Sequence, residues 1–162
     1  MKRIVLAVLA AAMLSASPAR AVEGIITYKS LAPDVAFDLA RAAVLQCRKN
    51  GYQVAVVVLD RFGVPLVTMR DRFAGIGALD IAEHKAWTAV NFTSDTSALI
   101  KAGTVSPALA NYAKVMLAAG GVVIEAGGSL LGGVGVAGAP GGDKDEACAK
   151  AGLAAVQDKL EF

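Results

Sequence analysis

Ten of the chain's 17 glycines fall between Ala119 and Gly142, in AGGVVIEAGGSLLGGVGVAGAPGG. Glycine has no Cβ, so backbone at such positions can approach a ligand, a helix or another subunit closely. The block contains Gly133-x-Gly135-x-x-Gly138, a formal match to the dinucleotide fingerprint. Context argues against it. In that fingerprint the glycines turn a first strand into its helix, and a second strand carries an acid about 20 residues on. Here Gly133 and Gly135 lie inside a strand-like run from Leu130 to Val136, and no second strand follows the next helix. Asp158 has nearly the right offset but sits on that helix. The reading that survives is a strand with bare backbone on one face. Leu131, Gly133, Gly135 and Ala137 alternate onto that face, where something packs closely.

The rest of the sequence supplies the partners. Ser30 to Asn50 reads as an amphipathic helix, with Ser30 as cap, Pro33 in the first turn and Lys49-Asn50-Gly51 as stop. Val54 to Leu59 reads as a buried strand, Asp60-Arg61-Phe62-Gly63 as a turn and Val64 to Met69 as the return strand. Pro65 marks that return strand as an edge or a bulge. Ala78 to Phe92 is a second helix. Ser94 or Thr96 caps a short helix ending near Gly103, and Ser106-Pro107 opens another through Leu117. Gly121 to Glu125 is a strand joined through Gly127-Gly128 to Leu130–Val136. Asp143-x-x-Glu146 reads as a capping box for a last helix running to about Leu160. Both strand pairs are hairpins, so the sheet is mainly antiparallel. The fold class is α+β, a layered domain with a sheet of about five strands and helices packed on it.

Residues 1–21 have the form of a secretory signal. Met1-Lys2-Arg3 is a positive start, Ile4 to Leu14 is an apolar run of eleven residues, and Ala19-Arg20-Ala21 is a small-x-small cleavage site. The expectation is a signal peptide over 1–21, cleavage after Ala21 and a single domain over 22–162, periplasmic or extracellular. The apolar run is too short for a membrane span. The chain as a whole carries 16 basic and 14 acidic residues. Lys2, Arg3 and Arg20 all lie in the leader, which holds no acid. The remainder has 13 basic against 14 acidic residues, and nothing in that balance favours nucleic acid. Cys47 follows Ala36, Ala40 and Ala43 on one helical face, and Cys148 lies near the start of the last helix. If the two helices pack side by side a disulfide can form; two buried thiols are the equal alternative.

Familiar catalytic constellations are absent. The chain has one histidine, His84, and no G-x-S-x-G, P-loop or H-E-x-x-H motif. Zinc needs three or four N, S or O ligands, and one histidine with two distant cysteines does not supply them. A haem iron, by contrast, is held by one strong ligand of the His, Tyr, Met or Cys type. His84 is the candidate metal ligand, with Tyr112 and Met116, four apart on the 106–117 helix, and Met69 as competitors. Arg70 and Lys85 are candidate partners for carboxylates such as haem propionates; ordinary surface charge is the plainer alternative. Gly120 and Gly121 are candidate positions for close backbone approach to a ligand. Proton-handling groups for an enzyme are limited to His84, Glu83, Asp71 and Tyr112.

The order of these elements resembles the GlcG/HbpS-like family, which includes the C-terminal domain of PduO-type proteins. The residues that carry the resemblance are the strand–Asp60-x-x-Gly63–strand hairpin leading to Arg70, Lys85-Ala86-x-Thr88-Ala89 fifteen residues after that arginine, Gly120-Gly121-Val122, Gly132-x-x-Gly135-Val136-x-Gly138, and Asp145-Glu146-x-x-Ala149-x-x-Gly152. The usual Arg-Met-Asp-Gly segment reads Arg70-Asp71-Arg72-Phe73 here. The resemblance implies a profilin-like layered fold, homo-oligomeric assembly and, for exported members, haem or a related tetrapyrrole as ligand. Three functions follow as expectations: an exported haem-binding protein, a peroxide-dependent haem-degrading enzyme, or an oligomeric accessory module without a small ligand. The His84 assignment comes from ligand chemistry alone.

Overall fold

The computed structural model describes residues 24–161. The leader expected over residues 1–21 lies outside these described residues. Helix α1 runs from Pro33 to Lys49, with Pro33 pre-set for its first turn. Strands β1 (Ala55–Asp60) and β2 (Pro65–Arg70) form the first hairpin. Helix α2 (Ala78–Phe92) and two short helices, α3 (Thr96–Ala102) and α4 (Pro107–Ala110), follow. Strands β3 (Gly121–Ala126) and β4 (Ser129–Ala137) make the second hairpin, and α5 (Gly142–Ala154) leads into a 3-10 turn at Gln157–Lys159.

The sheet has the order β2-β1-β4-β3, antiparallel throughout. It has four strands among the described residues, where about five were expected; residues 24–32 add no ladder. Helices α1 and α5 cover one face, and α2 covers the other. Alternation sorts the side chains accordingly. Val54, Val56, Val58, Val134 and Val136 join the α1–α5 core, while Ala55, Val57, Leu59 and Ala137 join Ala78, Ala82 and Ala86 of α2.

The bare strand face predicted from the glycines is real, and α2 occupies it. A Cβ on Gly135 would overlap the Ala82 carbonyl, and one on Gly133 would lie 2.7 Å from Val90 Cγ2. Leu131 does not share that face. The β3–β4 ladder shifts register between Ile124 and Glu125, and this bulge turns Leu131 into the α1–α5 core. Pro65 likewise sits opposite a register shift, between Val58 and Leu59, on the edge strand where its missing donor costs little.

Several expected helix ends are corrected. Ala32 precedes α1 and gives no side-chain cap, so Ser30 does not cap it. Asp95 holds the cap position of α3, in place of Ser94 or Thr96, but its carboxylate accepts from the Val123 amide rather than from the helix's own first turn. Helix α5 begins after Gly141, and no capping box forms. Asp143 turns to Lys144, while Glu146 bonds Ser97 and Lys150. The helix stops at Ala154, short of Leu160. Ser106 does cap α4, accepting from the Leu109 amide, but that helix ends at Ala110.

Cys47 and Cys148 are joined, with 5.6 Å between their Cα atoms. Small residues make the helix pair close: a Cβ on Gly152 would lie 2.8 Å from the Ala43 Cβ. The bond links positions 101 apart in sequence, and a loop near that length is worth about 4–5 kcal/mol in the chain-entropy model. No helix among the described residues is long and apolar enough to cross a membrane.

Candidate functional site

Helix α2 sets the site because its inner face is fixed. Ala82, Ala86 and Ala89 are fully buried against the glycine-bearing strand. At about 100° per residue, His84 then lies on the opposite side of the helix from Ala82. Its side chain is 25% exposed, with Nε2 3.8 Å from Asp80 Oδ1 one turn earlier. Exposed Ile81 lies beside it, and Trp87 is the next residue on the same side.

The segment after α4 packs onto this face. Tyr112 and Met116 do not lie on one helix as expected; residues 111–118 run through turns. Thr88 explains the path. Its buried hydroxyl donates to the His84 carbonyl at 2.7 Å and accepts from the Met116 amide at 2.8 Å. Tyr112 then stacks on Trp87, with ring centroids 5.8 Å apart and planes tilted by 31°. Lys114 places its ammonium 6.0 Å from the Trp87 ring centre. A shallow cavity of about 290 Å³ lies between Trp87, Asn91, Phe92, Leu109, Tyr112 and Val115. Of the candidate iron ligands, only Tyr112 lines this cavity; His84 lies one turn before Trp87 on the outer side of α2 without lining it, and Met116 is tied to Thr88 through its backbone amide alone. Met69 is on β2 and belongs to the side of the α1–α5 core.

Lys85 lies elsewhere. It is buried at 3% exposure, so the plain reading of surface charge is wrong. Its ammonium donates to Asp145 Oδ2 at 2.7 Å and to the Val136 carbonyl at 3.0 Å. Asp145 Oδ1 also accepts from the Ala139 amide at 2.9 Å. Burial pushes the Asp145 carboxyl above its ordinary range, and the hydrogen bond from Lys85 opposes that rise. The amine is thus committed to tying α2 to β4 and α5. Gly120 and Gly121 serve the same junction. Gly120 has φ +118, and a Cβ there would lie 3.0 Å from Lys85 Nζ; one on Gly121 would overlap the Lys85 carbonyl. Their missing side chains admit α2.

Arg70 belongs to a separate cleft of about 540 Å³, lined by Arg48, Gln53, Arg70, Asp71 and Arg72. Neither His84 nor Lys85 lines it. Arg48, in the last turn of α1, grips Asp71 with both arms, at 2.7 and 2.8 Å. This fork holds the Asp71 carboxyl below its ordinary value. Sequence reasoning missed Arg48 as a member of any site. Its only sequence signal is its place at a helix end, where a basic residue is unremarkable. Among the described residues, no group of three or more His, Cys, Asp or Glu could hold a metal ion.

The α2 face fits a tetrapyrrole in kind. It offers an aromatic pair, Trp87 and Tyr112, with the Lys114 ammonium near it, and the His84 imidazole one helical turn earlier on the same side of α2. The cavity itself is shallow and apolar, and His84 does not line it.

Comparison with known proteins identifies the family and the fold. The model of the family described as "Haem degrading protein HbpS-like" matches residues 31–154. A crystal structure of a double mutant of Streptomyces reticuli HbpS superposes with a TM-score of 0.77 at 41% identity, covering 86% of this chain and 97% of that one. A PduOC:heme complex superposes with a TM-score of 0.71 at 30% identity, covering 78% of this chain and 94% of that one. The corrinoid adenosyltransferase PduO of Citrobacter freundii is 35% identical over 107 residues, which is 62% of this chain. The matched segment spans only 31% of that relative's length.

Proposed function

Because the chain belongs to the HbpS-like family, we propose that it is an exported haem-binding protein that sequesters, carries or senses haem on the outer face of α2. One observation carries the reading. The outer side of α2 carries His84 one turn before Trp87, against which Tyr112 packs, and the Thr88 hydroxyl holds the 111–118 segment there through the Met116 amide. His84 would supply a nitrogen to the iron; Asp80 lies 3.8 Å from its Nε2, beyond hydrogen-bond reach. Trp87 and Tyr112 would give an apolar wall and Lys114 a charge for a propionate. When bound, the haem supplies iron chemistry; the protein supplies placement and partial exclusion of water. The earlier pairing of Arg70 and Lys85 with the propionates gives way, since one lines another cleft and the other is buried against Asp145.

Export rests on the leader-like residues 1–21, and the Cys47–Cys148 bond accords with an oxidising compartment. Homo-oligomeric assembly remains part of the proposal, and a second subunit would close the open side of the site. Haem titration of the protein lacking residues 1–21 tests the ligand. A Soret band should appear at micromolar haem and shift in His84→Ala. No band would overturn haem binding; a band indifferent to the substitution would overturn only the ligand assignment. The family description also favours haem breakdown as a second reading. Protein-dependent loss of the Soret band with peroxide, abolished in His84→Ala, would select it.

A further inference from the structure

The arginine cleft is not needed for the reading above, and its chemistry is specific. Three guanidinium groups reach it from the end of α1, the end of β2 and the turn that follows. They face a single carboxylate, Asp71, and Arg48 already holds both of its oxygens. Asp71 also accepts from the Arg72 amide at 3.2 Å. Its acceptor capacity is largely spent. Arg70 gives one arm to the Ala74 carbonyl at 2.7 Å. The Arg72 guanidinium lies over the Phe73 ring at 5.2 Å and makes no hydrogen bond among the described residues. The cleft therefore holds a charge surplus of two, with donors unused on Arg70 and Arg72. Gln53 supplies an independent observation. Its side-chain Oε1 is buried and has no hydrogen-bond partner among the described residues. A buried acceptor without a donor is costly; Oε1 is closed to solvent as it stands, so a ligand's donor reaches it once the Gln53 amide turns toward the cleft it lines.

We propose that this cleft is a second ligand site, for a doubly charged small oxyanion that also carries a hydroxyl, a hydroxydicarboxylate. The Arg72 fork and the remaining donors of Arg70 take the carboxylates, and Gln53, its amide turned into the cleft, accepts from the hydroxyl. Arg48 and Asp71 form the fixed floor: their mutual pairing stops Asp71 from repelling the anion. The same carboxylate chemistry could arrive as the propionates of a haem, so the test must separate the two sources.

Calorimetric titration of the haem-free protein with malate, succinate and succinamide provides it. Malate should bind more tightly than succinate, and neutral succinamide should not bind. Affinity should fall as salt rises. Removing one charge-assisted contact with Arg72→Gln should weaken malate binding roughly tenfold or more. Arg72 is exposed and supports no described hydrogen bond through its side chain, so this variant should fold normally; circular dichroism checks that. Arg70→Gln is the second variant. Absence of malate and succinate binding at millimolar ligand, or binding unchanged in both variants, overturns the site. Equal affinity for malate and succinate overturns the role given to Gln53. Repeating the titration with haem-loaded protein identifies the source. Undiminished malate binding supports a free small anion, whereas its loss reassigns the cleft to propionates and overturns a second ligand. Failure of the haem titration itself leaves these results unaffected, because the first measurements use no haem.

Discussion

Replacing Gly135 by alanine adds one methyl group at the contact that positions α2. The new Cβ would overlap the Ala82 carbonyl oxygen and lie 2.8 Å from the Ala86 amide nitrogen. Both are helix backbone, which cannot rotate aside as a side chain would. The helix must lift, and α2 makes its most extensive packing with β4. Overpacking of a close-packed interior costs typically 1–3 kcal/mol, and a contact made only to backbone belongs at the top of that range, about 3 kcal/mol. Gly128 is the control. It has open space around its Cβ position but φ +73, so Gly128→Ala incurs only backbone strain, roughly 1–2 kcal/mol. Urea unfolding followed by circular dichroism, with the disulfide intact, measures both. Gly135→Ala should be the more damaging, and it should also weaken haem binding, because α2 carries His84 and Trp87. A Gly135→Ala protein within about 0.5 kcal/mol of the parent, the usual range of a surface change, would refute the close-approach argument.

Two other perturbations test the framework. Reducing Cys47–Cys148 should lower stability by about 4–5 kcal/mol, seen as a shift in the urea midpoint; an unchanged midpoint would mean that the reduced unfolded chain is already restrained. Lys85→Met strands Asp145 in the core and should cost about 3–5 kcal/mol, while adding Asp145→Asn should recover part of the loss. If single and double variants are equally unstable, the pair is not the cause.

Features decided by neighbouring residues were legible. The run Ala78–Phe92 is helical over those residues as expected. The Asp60–Gly63 turn forms because Asp60 Oδ1 accepts from the Phe62 and Val64 amides and Gly63 takes φ +76. Gly127 and Gly128 adopt φ 53 and 73, as a tight hairpin turn requires. The dinucleotide pattern is a coincidence of spacing, since Gly133 and Gly135 lie within β4. Of the candidate site, His84, Tyr112 and Met116 are legible from ligand chemistry, but the packing of Tyr112 on Trp87 is not. The helix expected through Leu117 stops at Ala110, and the segment after it is held to α2 by the Met116 amide bonding Thr88, 28 positions away.

Sequence by itself determined the layers, the two hairpins and the need for something to sit on the glycine strand. These follow from periodicity and from the absence of Cβ atoms, which are local properties. Tertiary structure decided what that something was and where the charges went. Lys85 reads as surface charge in one dimension; only the approach of α5, bringing Asp145 from 60 positions away, makes its burial tolerable. Arg48 became part of a cleft only when α1 met the end of β2. A buried charge or a converging set of arginines depends on partners distant in the chain, and spacing along the sequence carries no record of which partners arrive.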